Sequence, residues 1–273
     1  MIALDLDGTL LDSQKQLSRK NAAALEQAAA MGIAIVPTTG RFFKGMPEVI
    51  QALPYLRHAI TMNGAEIYDV KRQIALSREE IPVAQAVALM DYLDDYPVIY
   101  DCYMDSRGWM TASMQEQAEQ FTDNPHYQKM LRTLRTPVPG LKTFLLERNR
   151  SVQKVQFFVK DLQLREWLMQ ELPQRFPALS VSSSLENNVE INSANATKGY
   201  ALQTLATELG LSLSQTMAIG DGLNDLSMIC TAGIGVAMGN ACPAVKAAAK
   251  AHTTSCDEDG VAAAMAQYCL NAT

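Results

Sequence analysis

Two aspartates stand one residue apart near the start of the chain, in the segment DLDGT. The residues around Asp5 and Asp7, namely Ile2, Leu4 and Leu6, predict a short buried strand. Carboxylates at positions i and i+2 of an extended chain project to the same side, so two like charges are expected to crowd one spot. The pair therefore indicates that a cation lies between the carboxylates, or that one of them holds a proton.

Three further segments place polar side chains where a predicted strand ends or a helix begins. Thr39 ends a strand in TTGR, Asp221 ends the strand of MAIGD, and Lys198 opens a helix after NVEIN. In open wound sheets, ligands bind in the crevice beyond the carboxyl ends of the strands. An ordinary turn or a solvated lysine would explain each segment alone. Their order along the chain favours one shared site.

The elements that position these residues alternate at both ends of the chain. Residues 2–6, 33–37 and 59–62 predict strands, with helices at 18–31 and 44–53 between them. The same alternation of strands and helices is predicted from NVEIN through GIGVAM. Strand and helix in alternation predict an α/β fold with a doubly wound, parallel, Rossmann-like sheet.

The middle of the chain has a different pattern. Residues 82–185 alternate short strands and helices in a way that is typical of an antiparallel α+β domain. The sequence therefore predicts a core made of residues 1–81 and 186–273, with residues 82–185 inserted as a cap that determines substrate specificity. Tyr103, Asp105, Arg107 and Trp109, around a predicted hairpin turn, are candidates for substrate contact, although a solvated turn with an aromatic packed on the sheet is the better explanation of each.

The motifs DLDGT, TTGR, TKG and GDGLND, in that order, resemble the four signature motifs of the haloacid dehalogenase superfamily. The insertion between the second and third motifs, together with the late segments AMGNA and DEDGVAAAM, resembles the Cof-type (type IIB) phosphatase branch. The resemblance covers nearly the whole chain. It implies a phosphoric monoester hydrolase that acts on small phosphorylated metabolites, most of all sugar phosphates.

The resemblance also implies a metal ion and a division of labour among the site residues. Mg²⁺ would bind a carboxylate oxygen of Asp5, the backbone carbonyl of Asp7 and the carboxylate of Asp221, with Asp225 in support behind them. Asp5 would be the nucleophile that forms an aspartyl phosphate, and Asp7 the acid and base that carries the proton. The expected phosphate-binding residues are Thr39, Gly40, Lys198 and Asn224.

Composition excludes several other classes of protein. The chain of 273 residues has a formal net charge of -6, with lysine and arginine scattered, which argues against a nucleic-acid surface. No apolar run approaches the roughly 20 residues that span a bilayer, and no signal peptide is evident. The five cysteines form no CxxC pair, so neither a disulfide framework nor a zinc site is expected. We expect a cytoplasmic enzyme without membrane partners, as a monomer or small homo-oligomer.

Two alternatives remain open from the sequence. A phosphomutase of the same superfamily would pass the phosphoryl group from the aspartate to another hydroxyl of the sugar. A non-enzymatic phosphoaspartate switch also uses clustered aspartates, a threonine and a lysine on a wound sheet. A switch, however, has no need of a proton carrier two residues from its phosphorylated aspartate, or of an inserted domain of this size.

Overall fold

The structure is a computed structural model that describes residues 1–105, 107–122 and 125–270. Two compact units make up the chain. The first consists of Met1–Ser77 together with the chain from Thr197 onward, and the second is the inserted segment Arg78–Ala196.

Strands and short helices alternate through both units. The strands are β1 (Ile2–Leu4), β2 (Ile35–Pro37), β3 (His58–Thr61), β4 (Glu66–Asp69), β5 (Ile74–Arg78), β6 (Val98–Met104), β7 (Arg107–Thr111), β8 (Arg135–Val138), β9 (Lys154–Val159), β10 (Leu179–Ser182), β11 (Asn188–Ser193), β12 (Met217–Gly220), β13 (Ile234–Ala237) and β14 (Ala251–His252). The α-helices are α1 (Arg19–Ala30), α2 (Glu48–Gln51), α3 (Val83–Leu93), α4 (Ala112–Glu116), α5 (Ala118–Phe121), α6 (Pro125–Thr133), α7 (Leu141–Arg148), α8 (Leu162–Arg175), α9 (Lys198–Glu208), α10 (Leu226–Thr231), α11 (Pro243–Ala248) and α12 (Gly260–Met265).

A five-stranded parallel sheet forms the centre of the first unit. Its strand order is β14-β13-β12-β1-β2, and every neighbouring pair is parallel. The residues of β1, β2 and β12 are all buried, as expected for strands covered by helices on both faces. The predicted α/β class with a wound parallel sheet is confirmed.

The third predicted strand does not join this sheet as a full member. β3 is linked to β2 by a single parallel bridge between Thr38 and Ile60, and pairs antiparallel with β4. A turn follows β3, where Asn63 adopts a left-handed backbone with φ of 61°. This turn sends the chain straight back, so β3, β4 and β5 form a separate small sheet.

The inserted unit is built on a six-stranded sheet of order β10-β11-β9-β6-β7-β8. All of its pairs are antiparallel except β7 with β8. Alternate residues of its strands, such as Cys102, Phe157 and Ile191, pack into an apolar core with α3, α7 and α8. The intervening residues form a second face, much of which is polar. This antiparallel α+β character agrees with the sequence-based expectation.

The boundaries of the inserted unit differ from the prediction. The predicted insertion ends at residue 185 and leaves the strand of NVEIN in the core, but β11 pairs with β9 and β10 in the inserted sheet. Val189 and Ile191 contribute to the apolar core of that unit. The unit therefore runs over Arg78–Ala196 rather than over residues 82–185. A strand followed by a helix has the same local pattern whichever sheet the strand joins.

Candidate active site

The predicted site residues of the first unit follow three neighbouring strands. Asp5 comes directly after β1, Asp221 directly after β12, and Thr39 two residues after β2. The backbone N–H of Asp5 donates to the carbonyl of Ile219 in β12 at 3.0 Å, which fixes the two strand ends side by side. Because parallel strands end at a common edge of the sheet, these segments converge as the sequence predicted.

Lys198 brings a buried positive charge to this edge. It begins α9, directly after Thr197, whose hydroxyl accepts the backbone N–H of Tyr200 and caps the helix. Its Nζ lies 2.6 Å from Asp5 Oδ1 and 2.5 Å from Asp225 Oδ1. Burial would lower the pKa of Lys198, but the two carboxylates outweigh burial and raise it. Lys198 is therefore an ammonium ion that joins two carboxylates distant in sequence.

Asp5, Asp221 and Asp225 form a cluster of acidic groups around this lysine. One carboxylate oxygen from each lies within 4.8 Å of the others. Burial, and then the charges of Asp225 and Asp221, raise the pKa of Asp5 well above its ordinary value despite the opposing effect of Lys198. Burial, followed by the charge of Asp225, raises the pKa of Asp221 to about 7. One ammonium group beside three carboxylates leaves this cluster short of positive charge.

The hydrogen bonds of the cluster separate supporting oxygens from those that could bind a cation. Asp225 Oδ1 binds Lys198, and its Oδ2 accepts the backbone N–H groups of Asp221 and Gly222, both at 2.9 Å. Asp225 therefore has both oxygens engaged and orients the loop. Carboxylate oxygens of Asp5 and Asp221, with backbone carbonyls nearby, are the hard oxygen donors that Mg²⁺ prefers, so this donor set fits such an ion.

Two side chains hold the Asp221 carboxylate from other segments. The Thr9 hydroxyl donates to Asp221 Oδ1 at 2.7 Å. Asn240 Nδ2 lies 3.4 Å from Asp221 Oδ2 and donates to the Gly8 carbonyl at 2.8 Å. Neither residue is among the predicted site residues, although Thr9 lies in DLDGT and Asn240 in AMGNA.

Asp7 has different partners from the acidic cluster. Arg41 donates to both of its oxygens, Nε to Oδ2 and Nη2 to Oδ1, each at 2.8 Å, and Lys15 Nζ lies 3.0 Å from Oδ1. Burial alone would raise the pKa of Asp7, but these two cations lower it to about 2. Asp7 is thus held as a carboxylate, which is the form of a base.

Arg41 is a residue that the sequence analysis passed over. It is the last letter of TTGR, a motif chosen for Thr39 and Gly40. Its backbone N–H donates to the Thr39 hydroxyl at 3.2 Å, and its guanidinium binds Asp7. The sequence did offer a signal for this contact, namely an arginine in a motif predicted to lie near DLDGT. Arginine commonly binds a carboxylate through two parallel hydrogen bonds.

The other predicted phosphate-binding residues border the same strand ends. Thr39 is buried and Gly40 follows it in the loop after β2. Asn224 lies in the short turn Leu223–Asp225, and its Nδ2 donates to Asn63 Oδ1 at 3.2 Å. Asn63, in the turn after β3, is thereby connected to the segment that carries Asp221 and Asp225.

Within the inserted unit, the polar face of the sheet carries buried ion pairs. Arg135 Nε is 2.9 Å from Asp101 Oδ2, and its Nη2 donates to the Tyr103 hydroxyl at 2.8 Å. Lys154 Nζ is 2.9 Å from Glu190 Oε1. The side chains of both pairs are almost entirely buried. Buried charges require such pairing, so this face is a structured polar surface rather than a solvated one.

The hairpin-turn candidates in the inserted unit have separate environments. Tyr103 belongs to the buried polar face just described. Trp109 donates from Nε1 to the Met104 carbonyl at 3.1 Å and packs against the Phe144 ring. Asp105 forms an exposed ion pair with Arg150, and Arg107 is exposed. Only the first of the four thus lies in a buried polar cluster of its unit.

Comparison with known proteins places this geometry in a family. Residues 2–265 match the family model of haloacid dehalogenase-like hydrolases. Phosphatase YwpJ of Bacillus subtilis is 33% identical over 290 residues, covering 96% of this chain and 97% of that protein. Pyridoxal phosphate phosphatase YbhA of Escherichia coli is 30% identical, with 91% of each chain covered.

Solved structures agree with this assignment. A haloacid dehalogenase-like hydrolase from B. subtilis has a TM-score of 0.85 at 30% identity, covering 98% of this chain and 99% of that one. The subclass IIB sugar phosphatase BT4131 has a TM-score of 0.82 at 25% identity, covering 98% of each chain. The resemblance of the motifs and the expected enzyme class are confirmed. The chain belongs to the haloacid dehalogenase-like hydrolase family, among its Cof-type, subclass IIB phosphatases.

Proposed function

We propose that this protein is a Mg²⁺-dependent phosphatase that hydrolyses small phosphorylated metabolites, sugar phosphates above all, through an aspartyl phosphate on Asp5. The observation that carries the proposal is the position of Lys198, whose buried ammonium joins Asp5 to Asp225. One carboxylate oxygen from each of these aspartates lies within 4.8 Å of an oxygen of Asp221. A carboxylate beside fixed positive charge at the end of a central strand is suited to attack a phosphate dianion.

Mg²⁺ would be held by a carboxylate oxygen of Asp5, the backbone carbonyl of Asp7 and the carboxylate of Asp221. Asp225 would support it from behind, since both of its oxygens already have hydrogen-bond partners. When bound, the ion supplies positive charge that offsets the repulsion between the acidic cluster and the substrate phosphate.

In the first step, an oxygen of Asp5 attacks phosphorus while the bond from phosphorus to the leaving alcohol oxygen breaks. The Lys198 ammonium, the Thr39 hydroxyl, the Gly40 N–H and the Asn224 amide bind the transferring oxygens as charge spreads over them. Asp7 donates a proton to the departing alkoxide. To do so it must exchange its contacts with Arg41 and Lys15 for the leaving oxygen, because those cations keep it ionised.

In the second step, water attacks the phosphorus of the aspartyl phosphate and the bond to Asp5 breaks. Asp7 accepts the proton of that water, for which its carboxylate form is the correct one. Inorganic phosphate leaves, and Asp5 returns to its initial state.

The relatives of this protein and the inserted unit both support this substrate class. Relatives include phosphatases of pyridoxal phosphate and of 5-amino-6-(5-phospho-D-ribitylamino)uracil, and one relative of known structure is a sugar phosphatase. We assign selection of the leaving group to the inserted unit, whose buried polar face suits hydroxyl-bearing molecules better than apolar ones. The proposal retains the expectation of a cytoplasmic monomer or small homo-oligomer.

The test is phosphate release from p-nitrophenyl phosphate and a panel of sugar phosphates by the purified protein with Mg²⁺. Asp5→Asn is expected to lower turnover by at least about 10³-fold, since it removes the nucleophile. EDTA is expected to abolish activity, and restored Mg²⁺ to recover it. Asp95→Asn, an exposed aspartate of the inserted unit, is the matched control and should retain full activity.

Two outcomes would replace this proposal with an alternative. Isomerisation of a sugar phosphate without net release of phosphate would identify a phosphomutase. A phosphorylated Asp5 that persists for hours without turnover would identify a switch. Undiminished hydrolysis by Asp5→Asn, or in EDTA, would refute the mechanism itself.

A further inference from the structure

The segment AMGNA places Asn240 against two segments that bear site residues. Its Nδ2 donates to the Gly8 carbonyl at 2.8 Å and lies 3.4 Å from Asp221 Oδ2. Its Oδ1 accepts the backbone N–H of Cys256 at 2.9 Å. One amide thus joins the loop after Asp7, the carboxylate after β12, and the turn Cys256–Glu258.

The identity of the residue follows from these three contacts. Two oxygen acceptors face one end of the side chain and a backbone N–H faces the other, which only an amide of this length satisfies in a single orientation. The preceding Gly239 is also fixed by packing, because a Cβ there would lie 2.8 Å from the Ser255 backbone nitrogen. Gly239 thus allows its backbone to lie close to that of Ser255, and Asn240 joins the same two segments by its hydrogen bond with the Cys256 N–H.

The turn that receives Asn240 is itself tied to the loop after Asp7. Asp257 Oδ1 accepts the backbone N–H of Ser13 at 2.8 Å. Asn21 donates to the Leu10 carbonyl and accepts the backbone N–H of Ala262 at 2.9 Å. The C-terminal part of the first unit therefore holds the residues after DLDGT at several points, of which Asn240 is the one that also reaches Asp221.

We propose that Asn240 is a positioning residue, which orients the Asp221 carboxylate and the Gly8 segment so that the cation-binding oxygens are preformed. The inference rests on the proposed Mg²⁺ site. Asn240 acts on affinity for the ion and leaves the reacting atoms untouched, since its contacts are with Asp221 and Gly8 and not with Asp5 or Lys198. Residues that orient a metal-binding carboxylate typically contribute about 10- to 100-fold in metal affinity.

The experiment measures Mg²⁺ binding by the shift of the thermal unfolding midpoint across a Mg²⁺ titration, without substrate. Asn240→Ala is expected to raise the Mg²⁺ concentration that gives half of the shift by about tenfold. In a parallel assay, the Mg²⁺ concentration for half-maximal phosphatase activity should rise equally, while turnover at saturating Mg²⁺ stays within about threefold of wild type.

The matched control is Ser255→Ala, which removes the hydroxyl contact with Glu258 in the same turn and touches neither Asp221 nor Gly8. It should lower the unfolding midpoint without changing the Mg²⁺ requirement. Asn240→Ser keeps a polar side chain but is too short to reach Gly8 and Asp221 together. It should raise the Mg²⁺ requirement as Asn240→Ala does, and it replaces the alanine variant in the test if that variant folds poorly.

The outcomes separate this inference from the proposed function. If wild type responds to Mg²⁺ and both Asn240 variants respond at the same concentration, the positioning role is refuted and the phosphatase proposal stands. An unchanged Mg²⁺ requirement with a large loss of turnover would also refute it, because Asn240 would then act on the chemistry. A wild type that shows no Mg²⁺ response would overturn the Mg²⁺ site and this inference together.

Discussion

In the proposed mechanism Asp7 acts both as an acid and as a base, and its surroundings favour only one of these states. Arg41 and Lys15 lower its pKa to about 2, so the carboxylate predominates at neutral pH. That state suits removal of a proton from water in the second step. The first step needs a proton on the same group, and therefore needs the bidentate contact with Arg41 to open.

A single substitution separates the two roles. Asp7→Asn is expected to lower turnover of sugar phosphates by about 10² to 10⁴, because the alkoxide departs without a proton. With p-nitrophenyl phosphate, whose phenolate leaves readily without protonation, the first step should remain fast and the second become slow. Stopped-flow absorbance should then show a burst of nitrophenolate of about one equivalent per site, followed by slow turnover.

The control for this experiment is wild type under the same conditions, which should show a much smaller burst, because its intact Asp7 speeds the second step. Equal slowing of both substrates without a burst would mean that Asp7 serves only the first step or only the geometry of the site. Such a result would also assign water activation to another group.

At the scale of elements, the position of Lys198 depends on how closely α9 approaches α10. Gly199, the second residue of α9, faces the Ser227 carbonyl, and a Cβ at this position would lie 2.5 Å from that oxygen. The backbone N–H of Gly199 also donates to Ser227 Oγ at 3.0 Å, and this hydrogen bond would be lost if the start of α9 moved away from α10. The first turn of α9, and with it the Lys198 ammonium, is therefore fixed by backbone packing.

Gly199→Ala tests this dependence. The added methyl group must push the start of α9 outward, which is expected to cost about 1 to 3 kcal/mol of unfolding free energy. Displacement of Lys198 from Asp5 should also lower turnover. Urea unfolding and phosphate release measure the two effects. Gly140→Ala is the control for an added methyl group, since the nearest atom there is 3.8 Å away. It should leave turnover unchanged and, because Gly140 is the N-cap of α7, should cost less than about 1 kcal/mol of unfolding free energy. Wild-type turnover in Gly199→Ala would contradict the argument.

The elements also explain which parts of the site could be predicted from sequence. Asp5, Asp221 and Lys198 were predictable because each is adjacent to an apolar strand or opens a helix, and parallel strands bring such positions to one edge. The Arg41–Asp7 pair was not, because it depends on a side chain reaching between two loops. The strand β11 was misassigned because alternation in sequence gives its two faces but not its pairing partner.

At the scale of the whole molecule, the two units differ in the charged groups at their centres. The inserted unit pairs each of its described buried cations with a carboxylate, as in Asp101–Arg135 and Lys154–Glu190. The first unit instead places the buried Asp5 and Asp225, together with the half-buried Asp221, around Lys198. No helix that the structure describes is both long and apolar enough to cross a bilayer. Stability of the first unit should therefore depend on ions and pH in a way that the inserted unit does not.

The sign of the pH dependence follows from the raised pKa values of Asp5 and Asp221. A carboxyl whose pKa is higher in the folded state than in the unfolded chain stabilises the fold below the unfolded pKa of 3.8. That stability is lost as pH rises through the folded pKa, which is about 7 for Asp221. Asp7, with a pKa of about 2, loses its stabilising effect only in stronger acid and does not contribute in this range.

The metal-free protein is therefore expected to lose several degrees of its unfolding midpoint between pH 5 and pH 8 in EDTA. Added Mg²⁺ should raise the midpoint little at pH 5 and much more at pH 8, because ligand carboxylates must ionise to bind it.

Circular dichroism should follow the transition, since both tryptophans, Trp109 and Trp167, lie in the inserted unit and their fluorescence reports on that unit. Asp221→Asn should flatten the pH dependence in EDTA and reduce the Mg²⁺ effect at pH 8. A midpoint in EDTA that rises from pH 5 to pH 8 would show that the acidic cluster is not held near its protonated state, and would remove the electrostatic reason for a cation at this site.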